Sequence, residues 1–147
     1  MPDNIILDTN IIISILIKPS GKVAELFYKL RNAKELFISD FTFNELTTHA
    51  EKIQGITKYS PIQLEQIQFE VLSQLHVISK DIIPEKYIFD AIELCKEVDI
   101  KDVPFVAVTL LLNGALWTGD KKLLTALKKK GFDNIFSSKD IETFLQL

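Results

Sequence analysis

Cysteine is almost missing from this chain: Cys95 stands alone, so no intramolecular disulfide can form and the disulfide-framed secreted classes are excluded. Arginine is equally scarce, with Arg31 the only one, which leaves almost no material for bidentate clamps. No apolar run is long enough to span a bilayer; the longest near the start, Ile11 to Ile17, is interrupted by Ser14. The opening residues Met1-Pro2-Asp3-Asn4 carry no basic segment. We therefore expect neither export signal nor membrane anchor, and a cytoplasmic location. An excess of positive charge is lacking too: 17 basic residues against 20 acidic ones give a net charge of -3 and a pI near 5.4. That balance excludes a protein that holds nucleic acid by bulk charge alone, because phosphate neutralisation needs clustered Lys and Arg.

What is present suffices for a core. Of 147 residues 47% are apolar and ten are Phe, against the low hydrophobicity and high net charge of a disordered segment. One domain over residues 1–147 is expected. Short apolar runs at Ile5-Ile6-Leu7, Leu36-Phe37-Ile38, Val77-Ile78 and Ala115-Leu116-Trp117 read as buried strands, with a weaker one at Asn134 to Phe136. Between them lie segments of helical length and period. These are Ile11 to Ile17, Lys22 to Leu30, Phe41 to Ile53, Pro61 to Leu75, Pro84 to Glu97, Asp102 to Leu112, Lys121 to Lys130 and a last one from Lys139. Ser60-Pro61-Ile62-Gln63 has the form of a capping box, Ser39 or Asp40 is placed to cap the third helix, and Glu51 to Ser60 reads as a helix connection. Strands alternating with helices predict an α/β fold, a three-layer α/β/α sandwich around a mostly parallel sheet of four or five short strands.

In such a sheet ligands bind beyond the carboxyl ends of the strands, and there this chain is acidic. Asp8 follows the first strand, Asp120 comes three residues after Trp117, Asp102 opens a helix, and Glu45 lies in the second turn of the helix after the second strand. Singly these have ordinary explanations: helix caps for Asp102 and Asp120, turn amides for Asp8, a solvated helix position for Glu45. Jointly they predict a single cleft in which like charges repel unless a cation neutralises them. The donors are all oxygen, which suits Mg²⁺ or Mn²⁺ and disfavours Zn²⁺. His49, four residues after Glu45, and His76, before a strand, read as structural; Asp99 reads as a solvent-exposed loop carboxylate and Asp90 as a helix surface residue.

Four ordered motifs resemble those of a PIN domain, the metal-dependent ribonuclease fold that includes the VapC-type toxins. They are Ile6-Leu7-Asp8-Thr9-Asn10, Phe43-Asn44-Glu45-Leu46, Lys101-Asp102-Val103-Pro104-Phe105-Val106-Ala107 and Leu116-Trp117-Thr118-Gly119-Asp120-Lys121. The resemblance implies that Asp8, Glu45, Asp102 and Asp120 form the catalytic metal site, with Asn10, Thr118 and, more weakly, Thr9 supporting it. It implies hydrolysis of RNA phosphodiester bonds that leaves a 5′-phosphate, in a setting where an antitoxin protein is a partner. We expect Asn10 to hydrogen-bond and orient Asp8, and the Thr118 hydroxyl to reach a carboxylate or an ion's water.

Positive charge for RNA comes from Lys121 and Lys122, whereas Lys128-Lys129-Lys130 complement a helix C-terminus. Phe41, Phe43, Phe105 and Trp117 are read as core, and none is assigned to RNA. The apolar residues Phe41, Phe43, Ile62, Leu64 and Phe69 of the third and fourth helices either build a homodimer surface or belong to the core. The competing reading is a protein- or RNA-binding module of the same fold without catalysis. A haloacid-dehalogenase-type phosphatase is disfavoured because Asn10 stands where its second carboxylate should be.

Overall fold

The computed structural model describes residues 1–146. Five strands, β1 (Asn4–Leu7), β2 (Glu35–Ser39), β3 (His76–Ile78), β4 (Ala115–Trp117) and β5 (Ile135–Phe136), form one sheet in the order β3-β2-β1-β4-β5, with every neighbouring pair parallel. The helices are α1 (Thr9–Ile17), α2 (Lys22–Arg31), α3 (Phe41–Thr57), α4 (Pro61–Leu72), α5 (Glu85–Cys95), α6 (Val103–Leu111), α7 (Lys121–Lys129) and α8 (Ser138–Leu145). The expected three-layer α/β/α architecture is the one found, with a sheet that is parallel throughout.

Alternation along the strands builds the two cores. Ile5, Leu7, Leu36, Ile38, Ala115 and Trp117 face the layer made by α1 to α4 and α8. Ile6 and Leu116 face the other layer with Ala91, Val106, Leu123 and Leu127 of α5 to α7. Successive strand side chains point to opposite faces, and both faces are covered, so three-residue apolar runs read as strands without polar alternation. The chain leaves β1 toward β2 and β3 on one side and returns to β4 and β5 on the other, so its direction reverses beside β1. A crevice opens at such a switch point, and Asp8 and Thr118 stand there, held by Asp8 N–H to Trp117 O (3.1 Å) and Thr118 N–H to Phe136 O (3.0 Å).

Several boundaries differ from the sequence reading. Helix α3 continues through Thr57 into the stretch expected to be a connection, because no proline interrupts it before Pro61, and it ends on a left-handed Lys58 with φ 65°. Asp40 occupies its cap position without a side-chain cap bond; Ser39 Oγ instead accepts from Phe41 N–H. Helix α4 carries the expected capping box at Ser60 and Gln63 but stops at Leu72. Two short 3-10 turns, Lys80–Ile82 and Ile100–Asp102, precede α5 and α6 and have no periodic signature. Phe43 departs most from expectation: it is 42% exposed, whereas Phe105 and Trp117 are buried and Phe41 packs edge-on against Phe105 at 6.1 Å. The proposed helical surface divides likewise, with Leu64 buried while Ile62 and Phe69 are exposed. Among the described residues, no helix is long and apolar enough to cross a membrane.

Gly114 shows how tightly β4 is seated: a Cβ there would lie 2.4 Å from Asn4 O and 2.8 Å from Ile6 Cδ1. Backbone cannot yield cheaply on both sides, so Gly114→Ala should destabilise the protein by about 2–4 kcal/mol. Urea unfolding checks this; a loss under about 1 kcal/mol would mean the β1–β4 seam is plastic.

Candidate metal centre

Asp8 caps α1, its Oδ1 accepting from Asn10 N–H at 3.2 Å and its Oδ2 from the Thr118 hydroxyl at 2.7 Å. The orienting group from Asn10 is thus its backbone amide; its side chain is exposed and makes no hydrogen bond to Asp8. Thr118 joins two carboxylate-bearing residues, because its Oγ1 also accepts from Asp120 N–H at 3.0 Å. Asp120 caps α7 through Leu123 N–H at 3.1 Å, as a sequence cap should. Thr9, the weakest of the supporting residues on sequence grounds, is well placed: its hydroxyl donates to Glu45 Oε1 at 2.6 Å and lies 3.0 Å from the buried Thr42 hydroxyl. Two hydrogen-bonded pieces therefore meet at the Asp8–Thr9 peptide bond: Glu45 to Thr9, and Asp8 through Thr118 to the Asp120 backbone.

Asp102 stands apart from both pieces. It takes the cap position of α6 but makes no cap bond, and its Oδ2 is buried with no hydrogen-bond partner. A buried ionised oxygen without a partner is costly, and an ordinary cap would not be left so. Burial first, and then the negative charges of Asp8, Asp99, Asp120 and Glu45 in descending order, together raise its pKa to about 7. Asp8 is raised as well, by burial first; the Thr118 and Asn10 hydrogen bonds oppose the rise while Glu45 and Asp120 add to it. These mutual influences bring the four carboxylates into one electrostatic neighbourhood at the carboxyl edge of the sheet. Asp99 is exposed and caps the 3-10 turn through Lys101 N–H, yet its field also reaches Asp102. Cys95 is pushed up to about 12, by burial and then by Asp102, so its thiol is inert.

As the side chains stand, no group of three or more Asp, Glu, His or Cys among the described residues is arranged to hold a metal ion. The donor chemistry nonetheless fits a hard divalent ion: oxygen donors only, one of them buried and unsatisfied, with Asp8 and Asp102 both raised by burial and by their neighbours' charge. His49 is half-buried in α3, without a hydrogen bond to the carboxylates, and His76 pairs with Glu35 at 2.8 Å. Asp90 is exposed on α5, as expected. Lys121 and Lys122 are exposed at the start of α7 beside Asp120, while Lys130 bonds the carbonyls of Glu93 and Leu94 at the end of α5. Sequence reasoning passed over Thr42, the buried hydroxyl behind Thr9; a Thr among apolar helix neighbours carries no signal of its own.

The raised Asp102 pKa makes a stability prediction for the metal-free protein. A carboxyl that binds its proton more tightly when folded contributes stability that is complete below about pH 4 and is lost as pH rises through about 7. Relative to Asp102→Asn, the native chain should therefore lose about 1–2 kcal/mol between pH 4 and pH 8, less than the full shift implies because solvent screens the site. Urea titrations of both proteins in EDTA measure the difference; parallel pH profiles would remove the repulsion from the account.

The family model for the PIN domain matches residues 6–138. No curated protein matches the sequence. Among solved structures, PAE2754 from Pyrobaculum aerophilum is similar at TM-score 0.67 and 16% identity, covering 97% of this chain and 89% of that one. VapBC2 from Rickettsia felis, bound to a DNA fragment from its promoter, is similar at TM-score 0.63 and 18% identity, covering 91% of this chain and 96% of that one. With the family model spanning all four carboxylate motifs and the sheet order in hand, the chain belongs to the PIN domain family.

Proposed function

We propose that this PIN domain, one domain over residues 1–147, is a divalent-metal-dependent endoribonuclease acting on RNA phosphodiester bonds. The observation that carries the reading is the buried, unpartnered Oδ2 of Asp102 amid the charges of Asp8, Glu45 and Asp120. Repulsion of that kind persists in a fold when a counterion relieves it in the working state. A bound Mg²⁺ or Mn²⁺ supplies a Lewis acid that polarises the phosphate and lowers the pKa of water. Asp8 and Asp102 are the principal ligands in this reading, with Glu45 and Asp120 completing the set or orienting water.

The chain's own hydrogen bonds prepare the donors. Thr118 and Asn10 N–H orient Asp8 and oppose the rise that burial imposes on its pKa, and Thr9 braces Glu45. Asp102, held by nothing, is free to turn its oxygens toward the ion. The exposed Lys121 and Lys122, which follow Asp120 in sequence, offset the local negative potential toward an approaching phosphate.

The likeness to VapBC2 supports extending the reading to a toxin that is paired with an antitoxin protein, and the exposed Ile62 and Phe69 of α4 support a homodimer through the α3–α4 face. Phe69→Glu should shift the sedimentation of the protein from dimer to monomer; a chain that is monomeric before substitution would remove the dimer from the proposal.

Two measurements test the activity. Asp8→Asn should lower single-turnover cleavage of a single-stranded RNA in Mn²⁺ by about a hundredfold or more while leaving the circular dichroism spectrum unchanged. Mn²⁺ should raise the melting temperature of the native chain at pH 7.5 and have far less effect on Asp8→Asn/Asp102→Asn. Equal cleavage by the native and Asp8→Asn proteins would leave a binding module as the better description.

A further inference from the structure

Beside the carboxylates, one strand over, a cleft of about 500 Å³ opens at the carboxyl ends of β2 and β3. Its apolar lining includes Phe43, Ile83, Ile88 and Pro104, and its polar lining Asp40, Asn44 and Lys80, with Asp40 Oδ2 accepting from Lys80 N–H at 3.3 Å. None of the four carboxylates lines the cleft, but two of its lining residues are their chain neighbours: Asn44 precedes Glu45 and Val103 follows Asp102. Phe43 is the exception among the aromatics of this region, 42% exposed where Phe105 is buried, and it lines both this cleft and the neighbouring groove between α3 and α4. Neither the Asn44 side-chain amide nor the Lys80 ammonium is committed to a hydrogen bond or ion pair among the described residues.

We infer that this cleft seats one unstacked nucleobase of the RNA strand next to the phosphate being cut. The inference rests on the ribonuclease reading above and names what that reading leaves open, a single-stranded substrate held by a base as well as by its backbone. A phosphodiester placed at the carboxylates brings its two flanking nucleosides with it, and the cleft is the aromatic-sided recess lined by chain neighbours of Glu45 and Asp102. A base has two apolar faces and a polar edge. Phe43 and Pro104 offer surfaces for the faces, the Asn44 amide offers both a donor and an acceptor to the edge, and Lys80 meets the adjoining phosphate. In a duplex the base is paired and stacked, so it cannot enter; a single strand pays far less to splay one base out. The near absence of arginine agrees with this mode, since affinity comes from stacking and point charges in place of bidentate readout.

The test separates base recognition from cleavage. Binding is measured in EDTA by fluorescence anisotropy, with a mixed-sequence single-stranded octaribonucleotide and with an abasic ribose-phosphate octamer of equal length and charge. The native chain should favour the base-bearing strand about tenfold, Phe43→Ala should lose that preference while still binding the abasic strand equally well, and Phe43→Trp should retain it. The tryptophan introduced there should be quenched by the base-bearing strand alone, against a background of the buried Trp117. Equal affinity of the native chain for the two strands, or a preference undiminished in Phe43→Ala, overturns the base site and leaves the cleft to a protein side chain. A Phe43-dependent preference in a protein that cleaves nothing in Mn²⁺ upholds the base site and sinks only the nuclease reading. Asp8-dependent cleavage without a Phe43-dependent preference does the reverse.

Discussion

Electrostatic repulsion at the carboxyl edge of the sheet is the constraint around which this molecule is arranged. Asp102 has a buried oxygen with no partner, and its pKa is lifted to about 7 by burial and then by four other carboxylates. Folding places it there against its own preference, because α6 must start where the Ile100–Asp102 turn delivers it and because Val103, Phe105 and Val106 are needed in the core. The apolar content of α6 holds the charge in position. Stability given up at such a site is the usual cost of a preorganised centre.

The four carboxylates are not equivalent, and their differences follow from their elements. Asp8 and Asp120 cap helices and share Thr118, so their positions are set by backbone amides and one hydroxyl. Glu45 is held by Thr9, which in turn leans on Thr42 inside the fold. Asp102 alone has no such tether. Three braced donors and one loose one form a set that is ordered without being closed, consistent with side chains that do not grip an ion as they stand.

In the proposed reading, the same edge of the sheet carries the surface that faces the RNA. Lys121 and Lys122 lie on one flank, and the cleft bounded by Phe43 and Lys80 on the other. A net charge of -3 therefore coexists with local positive groups next to the acidic site, which is the arrangement expected where a polyanion must approach carboxylates.

Much of this was legible in the order of residues. Short apolar runs ending in Asp8 and in Thr118-Gly119-Asp120 announced buried parallel strands and the acids after them, since a strand covered on both faces must be apolar throughout and must end at a polar turn. The capping box at Ser60 was readable for the same local reason. Folding in three dimensions settled what depends on distant partners. It joined Thr9 to Glu45 across 36 positions and Thr118 to Asp8 across 110, and it left Asp102 uncapped although its local pattern was that of a cap. It also turned Phe43 outward while Phe41, two residues earlier, packed inward on Phe105. A helix period says which residues share a face, but only the neighbouring layers decide which face is covered.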